Sequence, residues 1–471
     1  MLGSRSRLLA CARALAIAAA CAFAAPAGAL AEDVEPKIVP DAIKDVASTK
    51  PDPFPAFDNF SWRAFIALAW PAMDDPAHRG QPDRAKSLGD PGPRVWETFK
   101  SRYEIFQPRP DGQASPDGRA LAPAKWGSYA GANPCGPQAD NKIKTLAAFR
   151  RFADFNQATI APGKMTGPLV AQNHTYTRYE VRFNKAEFDS IVEGKWFLRS
   201  RQPSVEQPAH FKIGSIGIKA AWRPLTEADS PAVRARFYVV RDAQVLDVAK
   251  SVAAGKTICG KQDIALVGLH IVVKTQYRPQ WIWSSFEHID NVPPIGEGQS
   301  REPDAHDAQA PYSYFDPTKP AAQDSSGQNL PAPAVDASHP PQSDPQPNQV
   351  TRKHPINAKT MAMNRAYWAL PGIRDTVWAN YMLVATQWPT TPQPVGPSND
   401  GHFFPGMGTD PNTPAEPYQQ AGDMSALNQN LANTTMETFA QDAPSSCMSC
   451  HHVLANALGR DFVSITELSG E

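Results

Sequence analysis

The N-terminal part of the chain carries two stretches with helical patterns. Residues 57–71, FDNFSWRAFIALAWP, leave almost no polar face and predict a buried helix that Pro71 ends. Residues 94–106, RVWETFKSRYEIF, place Val95, Phe99 and Phe106 at helical spacing and predict a second helix. The aromatic residues of both stretches are more typical of a core than of a ligand platform.

Between residues 168 and 292 the apolar period changes to two. Five runs there alternate, are rich in β-branched and aromatic residues, and predict strands: YTRYEVRF, IGSIGIKAAW, ARFYVVRDAQV, IALVGLHIVVKT and QWIWSSFEHID. In the last run Trp281 and Trp283 share one face, while Phe286 and His288 share the other. Strands this close together favour an antiparallel sheet, sandwich or barrel.

Residues 293–353 are rich in Pro, Asp, Gln and Ser and poor in large aliphatic side chains. Such a composition predicts a Pro-rich surface insertion, since it offers little apolar surface to bury. A partner-binding segment is the alternative. Regular structure returns after it, with a helix at AKTMAMNRAYWAL, a strand at VWANYMLVATQW and a helix around ALNQNLANTTMETFA.

These patterns together predict an α+β fold, with a central antiparallel sheet or sandwich, packed helices and a helix near the C-terminus. The predicted regions are a helical and loop region at 32–140, a β-rich region at 141–292, the insertion at 293–353 and a C-terminal region at 354–471. The formal net charge is −1, which gives no electrostatic case for binding nucleic acid or an anionic membrane surface.

The first 31 residues match a secretory signal peptide. Arginines precede an apolar run at residues 14–25, and Ala29 and Ala31 form an A-x-A cleavage signal. The alternative, a membrane anchor, needs about 20 apolar residues, and this run is shorter. We therefore expect cleavage after Ala31 and a periplasmic protein that is not an integral membrane protein.

The cysteine positions fit an exported protein. Of six cysteines, Cys11 and Cys21 leave with the signal peptide, and two more belong to a motif near the C-terminus. Cys135 and Cys259 remain, and an oxidising compartment favours a disulfide between them. On the entropic model such a bond stabilises the fold by about 3–5 kcal/mol. Two separate buried thiols are the alternative.

The C-terminal motif is CMSCH, which places Cys447, Cys450 and His451 in the C-x-x-C-H pattern of covalent c-type haem attachment. On a helical turn this spacing aligns both sulfurs along one porphyrin edge, where they add to the vinyl groups. The adjacent histidine can then bind the iron as its proximal ligand. Attachment follows export, so this interpretation requires the signal peptide.

Three other interpretations of CMSCH compete with haem. A thioredoxin-like motif begins a helix inside a βαβ unit, and too little chain remains for that domain. A zinc site needs more ligands than His451 and His452 supply, and there is no second cysteine pair. A disulfide between cysteines three apart has poor geometry. The sequence therefore favours one haem c.

The sixth iron ligand must come from upstream. No methionine follows His451, and His452 points about 100° away around a helix. Met436 is favoured by its closeness in sequence, and His288 by its aromatic neighbours. The other candidates are Met361, Met363, Met382, Met407, Met424, His174, His270 and His402. The remaining alternative is a vacant sixth position, which would leave the iron accessible to small molecules.

Three stretches resemble a family of large exported bacterial proteins described as cytochrome c family proteins: FSWRAFIALAWP, FEHIDNVPP and LANTTMETFAQDAPSSCMSCH. The resemblance spans the mature chain apart from the Pro-rich insertion, and it implies covalent haem at Cys447, Cys450 and His451. A weaker similarity is to small periplasmic β-sheet cytochromes of the hydroxylamine-oxidising and c-prime-beta types.

Those small cytochromes also carry C-x-x-C-H near the C-terminus, shortly before a segment similar to Asp461-Phe462-Val463. In the oxidising members a strand lysine cross-links the haem. By this resemblance, Lys219 or Lys274 could correspond to the cross-linking lysine.

The expected function is that of an exported mono-haem c-type cytochrome that transfers electrons to a periplasmic or membrane redox partner. The alternative is a haem enzyme or sensor with an open distal face for peroxide, nitric oxide or hydroxylamine-like molecules. A binding module whose β-rich region recognises a partner is a third possibility. Glu287, His288 and Asp290 form a polar cluster that is either a distal acid–base group or a structural turn. The common hydrolase, nucleotide-binding and zinc-protease motifs are absent from the sequence.

Overall fold

The computed structural model describes residues 43, 45–46, 54–106, 122–147, 155–156, 167–204, 207–276, 278, 280–294, 310–325, 327–336, 338–388, 433–441, 447, 451 and 461. The predicted signal peptide at 1–31, Cys450 and residues 462–463 lie outside these ranges. Within the described ranges, no helix has both the length and the apolar character that crossing a membrane requires.

The strands, numbered in chain order, are β1 (Lys100–Ser101), β2 (Thr145–Leu146), β3 (Arg178–Phe183), β4 (Ile216–Pro224), β5 (Val239–Leu246), β6 (Cys259–Val273), β7 (Ile282–His288) and β8 (Tyr381–Gln387). The α-helices are α1 (Phe54–Ala69), α2 (Arg102–Ile105), α3 (Lys185–Gly194), α4 (Pro231–Arg234), α5 (Val248–Ala254), α6 (Ala358–Trp368) and α7 (Pro371–Arg374). Short 3-10 helices cover Pro76–His78, Val95–Thr98, Arg199–Arg201 and Val377–Asn380.

All eight strands belong to one curled sheet, so the fold is α+β. Its order is β1-β3-β4-β6-β5-β2, and β7 also pairs with β6 and carries β8 beyond it. The long strand β6 meets β5 along its first half and β7 along its second half. The sheet is mixed, since β2 and β5 run parallel while the other pairs are antiparallel. The five predicted strands all form, but in a single sheet rather than a sandwich.

Residues 94–106 do not form the single helix that their spacing predicts. A 3-10 helix is followed by β1 and then by the one-turn helix α2. The Glu97 carboxylate accepts a bond from the Arg94 amide, and Glu104 accepts one from the Ser101 amide, both at 2.9 Å. These caps, together with the pairing of β1 with β3, divide the segment. The described part of the last predicted helix, residues 433–441, likewise forms turns.

One face of the sheet, which we call the helical face, packs against α1 and α6. Trp62 of α1 stacks on Tyr367 of α6 with ring centroids 4.9 Å apart, and it meets Phe286 of β7 edge-on at 5.3 Å. Phe65 stacks on Phe286 at 4.4 Å. These side chains are almost completely buried, which confirms the predicted core role of the first helix.

A disulfide and the buried side chains of the Pro-rich segment attach the loops to the sheet. A disulfide joins Cys135 to Cys259 at the start of β6, with Cα atoms 5.5 Å apart, as the sequence predicts. The described part of the Pro-rich segment contains no helix or strand longer than an isolated bridge. It nevertheless contributes buried side chains to the core, with Tyr314 and Val350 fully buried.

Candidate functional site

The opposite face of the sheet carries polar side chains, and we call it the polar face. A row runs across four strands, because Lys219 of β4 pairs with His270 of β6, which pairs with Ser285 of β7 and then Ala385 of β8. Directly paired residues in a sheet project to the same side. The four side chains therefore line one face, while their strand neighbours line the helical face.

Residues 433–441 cover this polar face. Asn433 Nδ2 donates to Ser285 Oγ at 3.2 Å and to the Phe286 carbonyl at 2.8 Å. Gly268 of β6 permits the close approach, because a Cβ atom there would lie 2.1 Å from Thr435 Oγ1. The segment itself is buried almost throughout. The polar positions of the strands are therefore covered by protein rather than by water.

Cys447 and His451 of the C-x-x-C-H motif both lie on the polar face. The Cys447 amide donates to Gln387 Oε1 of β8 at 2.7 Å. The His451 ring lies 4.4 Å from the Trp283 ring, between centroids, at an interplanar angle of 51°. Trp283 and Gln387 are themselves paired across β7 and β8. Two predicted haem-binding residues thus meet the sheet at one place, whereas Cys450 lies outside the described residues.

A small pocket opens beside Cys447. Its lining consists of His270, Trp283, Ser285, Ala385, Gln387, Glu437 and Cys447. Five of these side chains carry nitrogen or oxygen atoms that can form hydrogen bonds. The space enclosed by these residues is about 10 Å³, room for a water-sized group, so this lining would form only one edge of a haem site.

An ionisable pair marks one wall of this pocket. His270 Nε2 lies 3.2 Å from Glu437 Oε1, which is an ion-pair separation without the alignment of a hydrogen bond. Beside them, Lys219 Nζ lies 5.2 Å from the centre of the Tyr179 ring. Burial lowers the pKa of Lys219, and the nearby Glu437 carboxylate partly offsets that shift.

His288, one of the two favoured distal ligands, is on the helical face and not beside His451. Its Nε2 bonds the Arg236 carbonyl at 3.0 Å, and its Nδ1 accepts from the Asp290 amide at 3.1 Å. Full burial lowers the pKa of His288 to about 4. Both ring nitrogens are therefore occupied by the main chain, which matches the structural-turn interpretation.

Met436, the other favoured ligand, lies on the covering segment but packs into an apolar cluster with Tyr179 and Val267. It is 2 % exposed and does not line the pocket. The remaining candidates are distributed as follows: Met361, Met363 and Met382 pack on the helical face, His174 pairs with Asp344, and Met407, Met424 and His402 lie outside the described residues. Among the candidates within the described ranges, His270 is the one that lines the pocket.

Asp461 anchors the chain beyond the motif. Its carboxylate accepts from Lys274 Nζ and from the Phe211 amide, both at 2.8 Å, and its carbonyl accepts from Trp281 Nε1 at 3.1 Å. Lys274, one of the two lysines singled out by resemblance, is thus held in an ion pair. Near it, burial raises the pKa of Glu187 well above its ordinary value, and Asp461 adds to this shift.

Sequence reasoning included His270 among many candidates but missed Glu437 and Gln387. No local signal identifies them, because each meets the site only through long-range packing. Across the described ranges, no cluster of three or more histidine, cysteine or carboxylate side chains is arranged to hold a metal ion. No protein-family model, curated protein or solved structure matches this chain.

Proposed function

We propose that this protein is an exported mono-haem c-type cytochrome. One haem c would be attached through Cys447 and Cys450, with His451 as the proximal iron ligand. The observation that carries the proposal is the C-x-x-C-H motif, whose Cys447 and His451 both lie against the polar face beside Trp283. The disulfide between Cys135 and Cys259 agrees with an oxidising compartment.

The haem would supply one-electron redox chemistry, and the protein would supply attachment, orientation and exclusion of water. Gln387 fixes the backbone of Cys447, so the thiol that forms a thioether is placed before attachment. Trp283 packs against the His451 ring and restricts its rotation. The main proposed role is electron transfer with a periplasmic or membrane redox partner.

The first test is spectroscopic. Protein produced in the periplasm should give a pyridine haemochrome spectrum typical of thioether-linked haem and a low-spin, six-coordinate iron. Changing Cys447→Ala together with Cys450→Ala should abolish covalent haem. A matched Cys135→Ala and Cys259→Ala variant should retain it. Full haem incorporation in the first double variant would overturn the proposal.

A second candidate function is favoured by the ionisable wall of the pocket. A simple electron carrier needs only ligation and an exposed haem edge, whereas His270 and Glu437, which line the pocket, offer hydrogen bonds to a bound molecule. The alternative is therefore a haem enzyme or sensor for a small polar molecule. It requires a high-spin ferric iron that binds azide and a ferrous iron that binds carbon monoxide. His270→Leu should weaken azide binding in that case, and an iron that binds neither probe would exclude it.

A further inference from the structure

Residues 433–441 are held on the polar face by a buried carboxylate. Glu287 Oε2 accepts from the Thr434 amide at 2.7 Å and from Thr434 Oγ1 at 3.0 Å, while Glu287 Oε1 pairs with the Arg352 guanidinium. The Glu287 and Arg352 side chains are 0 % and 2 % exposed. One strand carboxylate therefore joins the covering segment to the end of the Pro-rich segment.

A second contact lies at the other end of the covering segment. Gln441 Oε1 accepts from the Lys353 amide at 2.7 Å, and Gln441 Nε2 donates to the Thr351 carbonyl at 3.1 Å. Asn329, also in the Pro-rich segment, donates from Nδ2 to the Thr438 carbonyl at 3.0 Å. The described part of the Pro-rich segment therefore lies across residues 433–441 and holds them against the sheet through these hydrogen bonds.

These contacts bear on the site because of what the covering segment carries. Glu437, which faces His270, lies inside it, and the C-x-x-C-H motif begins six positions after Gln441. If the segment detached, Glu287 Oε2 would lose both of its hydrogen bonds from Thr434 while it stayed buried beside Arg352, and a buried charged acceptor without its donors is costly. The position of Glu437 is thus set by residues that do not themselves line the pocket, and the chain continues from this held segment to the motif.

We propose that Glu287, Arg352 and Gln441 are positioning residues, through which the Pro-rich segment holds residues 433–441 on the sheet and presents the motif for haem attachment. The haem part of this inference rests on the proposed function. The holding part does not, because it concerns contacts within the polypeptide alone. The Pro-rich segment then has a role as a strap over the cofactor-bearing end of the chain.

The test uses Glu287→Gln, with Glu180→Gln as its matched control. Glu180 is also a buried strand carboxylate between two cations, Lys144 and Arg182, and none of its observed bonds reaches residues 433–441. Both variants should lose thermal stability. Glu287→Gln alone should reduce covalent haem per folded chain by about tenfold, the lower end of what supporting residues contribute at metal sites.

Hydrogen exchange gives a readout that needs no haem. In the full chain with Cys447→Ser and Cys450→Ser, Glu287→Gln should speed exchange of the amides at residues 433–441 by about 100-fold, the scale of losing hydrogen bonds to a buried charged acceptor. Adding Arg352→Met removes the stranded cation and should slow this exchange again. The control should leave these amides protected.

The outcomes separate the two proposals. If the unaltered protein attaches no haem but Glu287→Gln still releases residues 433–441, the holding role stands and the haem function fails. If Glu287→Gln leaves those amides protected, the positioning role is wrong. Equal loss of haem in the Glu180→Gln control would also overturn it, since general destabilisation would then explain the effect.

Discussion

Around β7, the two faces of the sheet are built by different physical means. On the helical face, stacked aromatic rings such as Phe65 and Phe286 fill a largely apolar core. On the polar face, the buried side chains include Glu287, Lys274 and Asp461, which are charged and paired with one another or with other elements. Apolar burial stabilises without specifying partners, whereas buried charges are tolerated only with particular ones.

This difference indicates where defined contacts between particular side chains are kept although they add little stability. Buried ion pairs contribute little net stability, yet they fix the groups that they join. On the polar face, hydrogen bonds to the buried Glu287 carboxylate hold residues 433–441, and the ion pair with Lys274 holds Asp461, so both segments that flank the C-x-x-C-H motif are tied to buried charges. The segments that flank the candidate site are thus held to the sheet by specific polar contacts, as Glu180 is held by Lys144 and Arg182 elsewhere in the sheet.

The largest expected effect comes from Asp461→Ala on the polar face. It removes the carboxylate that compensates Lys274 and the acceptor of the Phe211 amide. We expect the free energy of unfolding to fall by about 5 kcal/mol, the upper part of the range for breaking a buried pair. Urea unfolding followed by tryptophan fluorescence measures it. Adding Lys274→Met should recover part of the loss, and an unchanged urea midpoint in Asp461→Ala would show that the pair is not buried.

On the helical face, Phe286→Ala should be nearly as costly for a different reason. Phe286 is fully buried against Phe65 and Trp62, so its removal leaves a cavity. We expect a loss of about 4 kcal/mol in urea unfolding. The haem content and visible spectrum of the remaining folded protein should not change. A shifted spectrum would mean that the two faces are not independent.

The buried histidine of the helical face, His288, sharpens the comparison through pH. His288 on the helical face has a folded pKa of about 4, below its ordinary value of 6.5. Between these values the unfolded chain binds a proton that the folded chain does not, so the free energy of unfolding falls as the pH falls. The loss should approach about 3 kcal/mol near pH 4. Urea titrations from pH 7 to pH 4 should show this loss, and His288→Gln should remove this component from the profile.

Much of the fold follows from local pattern. The apolar period of two over residues 168–292 predicts the five main strands, and the apolar run at 57–71 predicts α1. Both predictions work because each pattern reflects which side of a single strand or helix is buried. The failed helix at 94–106 shows the limit. Its apolar spacing suits a helix, but the two glutamates that cap short turns and the pairing with β3 prevail.

The site was less predictable for a related reason. The spacing of Cys447, Cys450 and His451 is itself a chemical signal, so a motif suffices to find them. His270 and Glu437 meet only because residues 433–441 dock on the sheet, and no periodicity encodes that docking. His288 had a suggestive setting among aromatic residues, but the backbone groups that occupy its ring nitrogens are invisible in the sequence.

The smallest expected effect is also the most direct comparison, because adjacent serines of β7 face opposite ways. Ser284 Oγ lies 2.7 Å from Ser61 Oγ on the helical face, and Ser285 Oγ accepts from Asn433 on the polar face while lining the pocket. Ser284→Ala and Ser285→Ala should each lower the free energy of unfolding by about 1 kcal/mol. Only Ser285→Ala should also shift the visible spectrum of the haem protein, because it alone alters the pocket lining. Equal spectra for both variants would place the haem away from this pocket, even if Cys447 and Cys450 carry it.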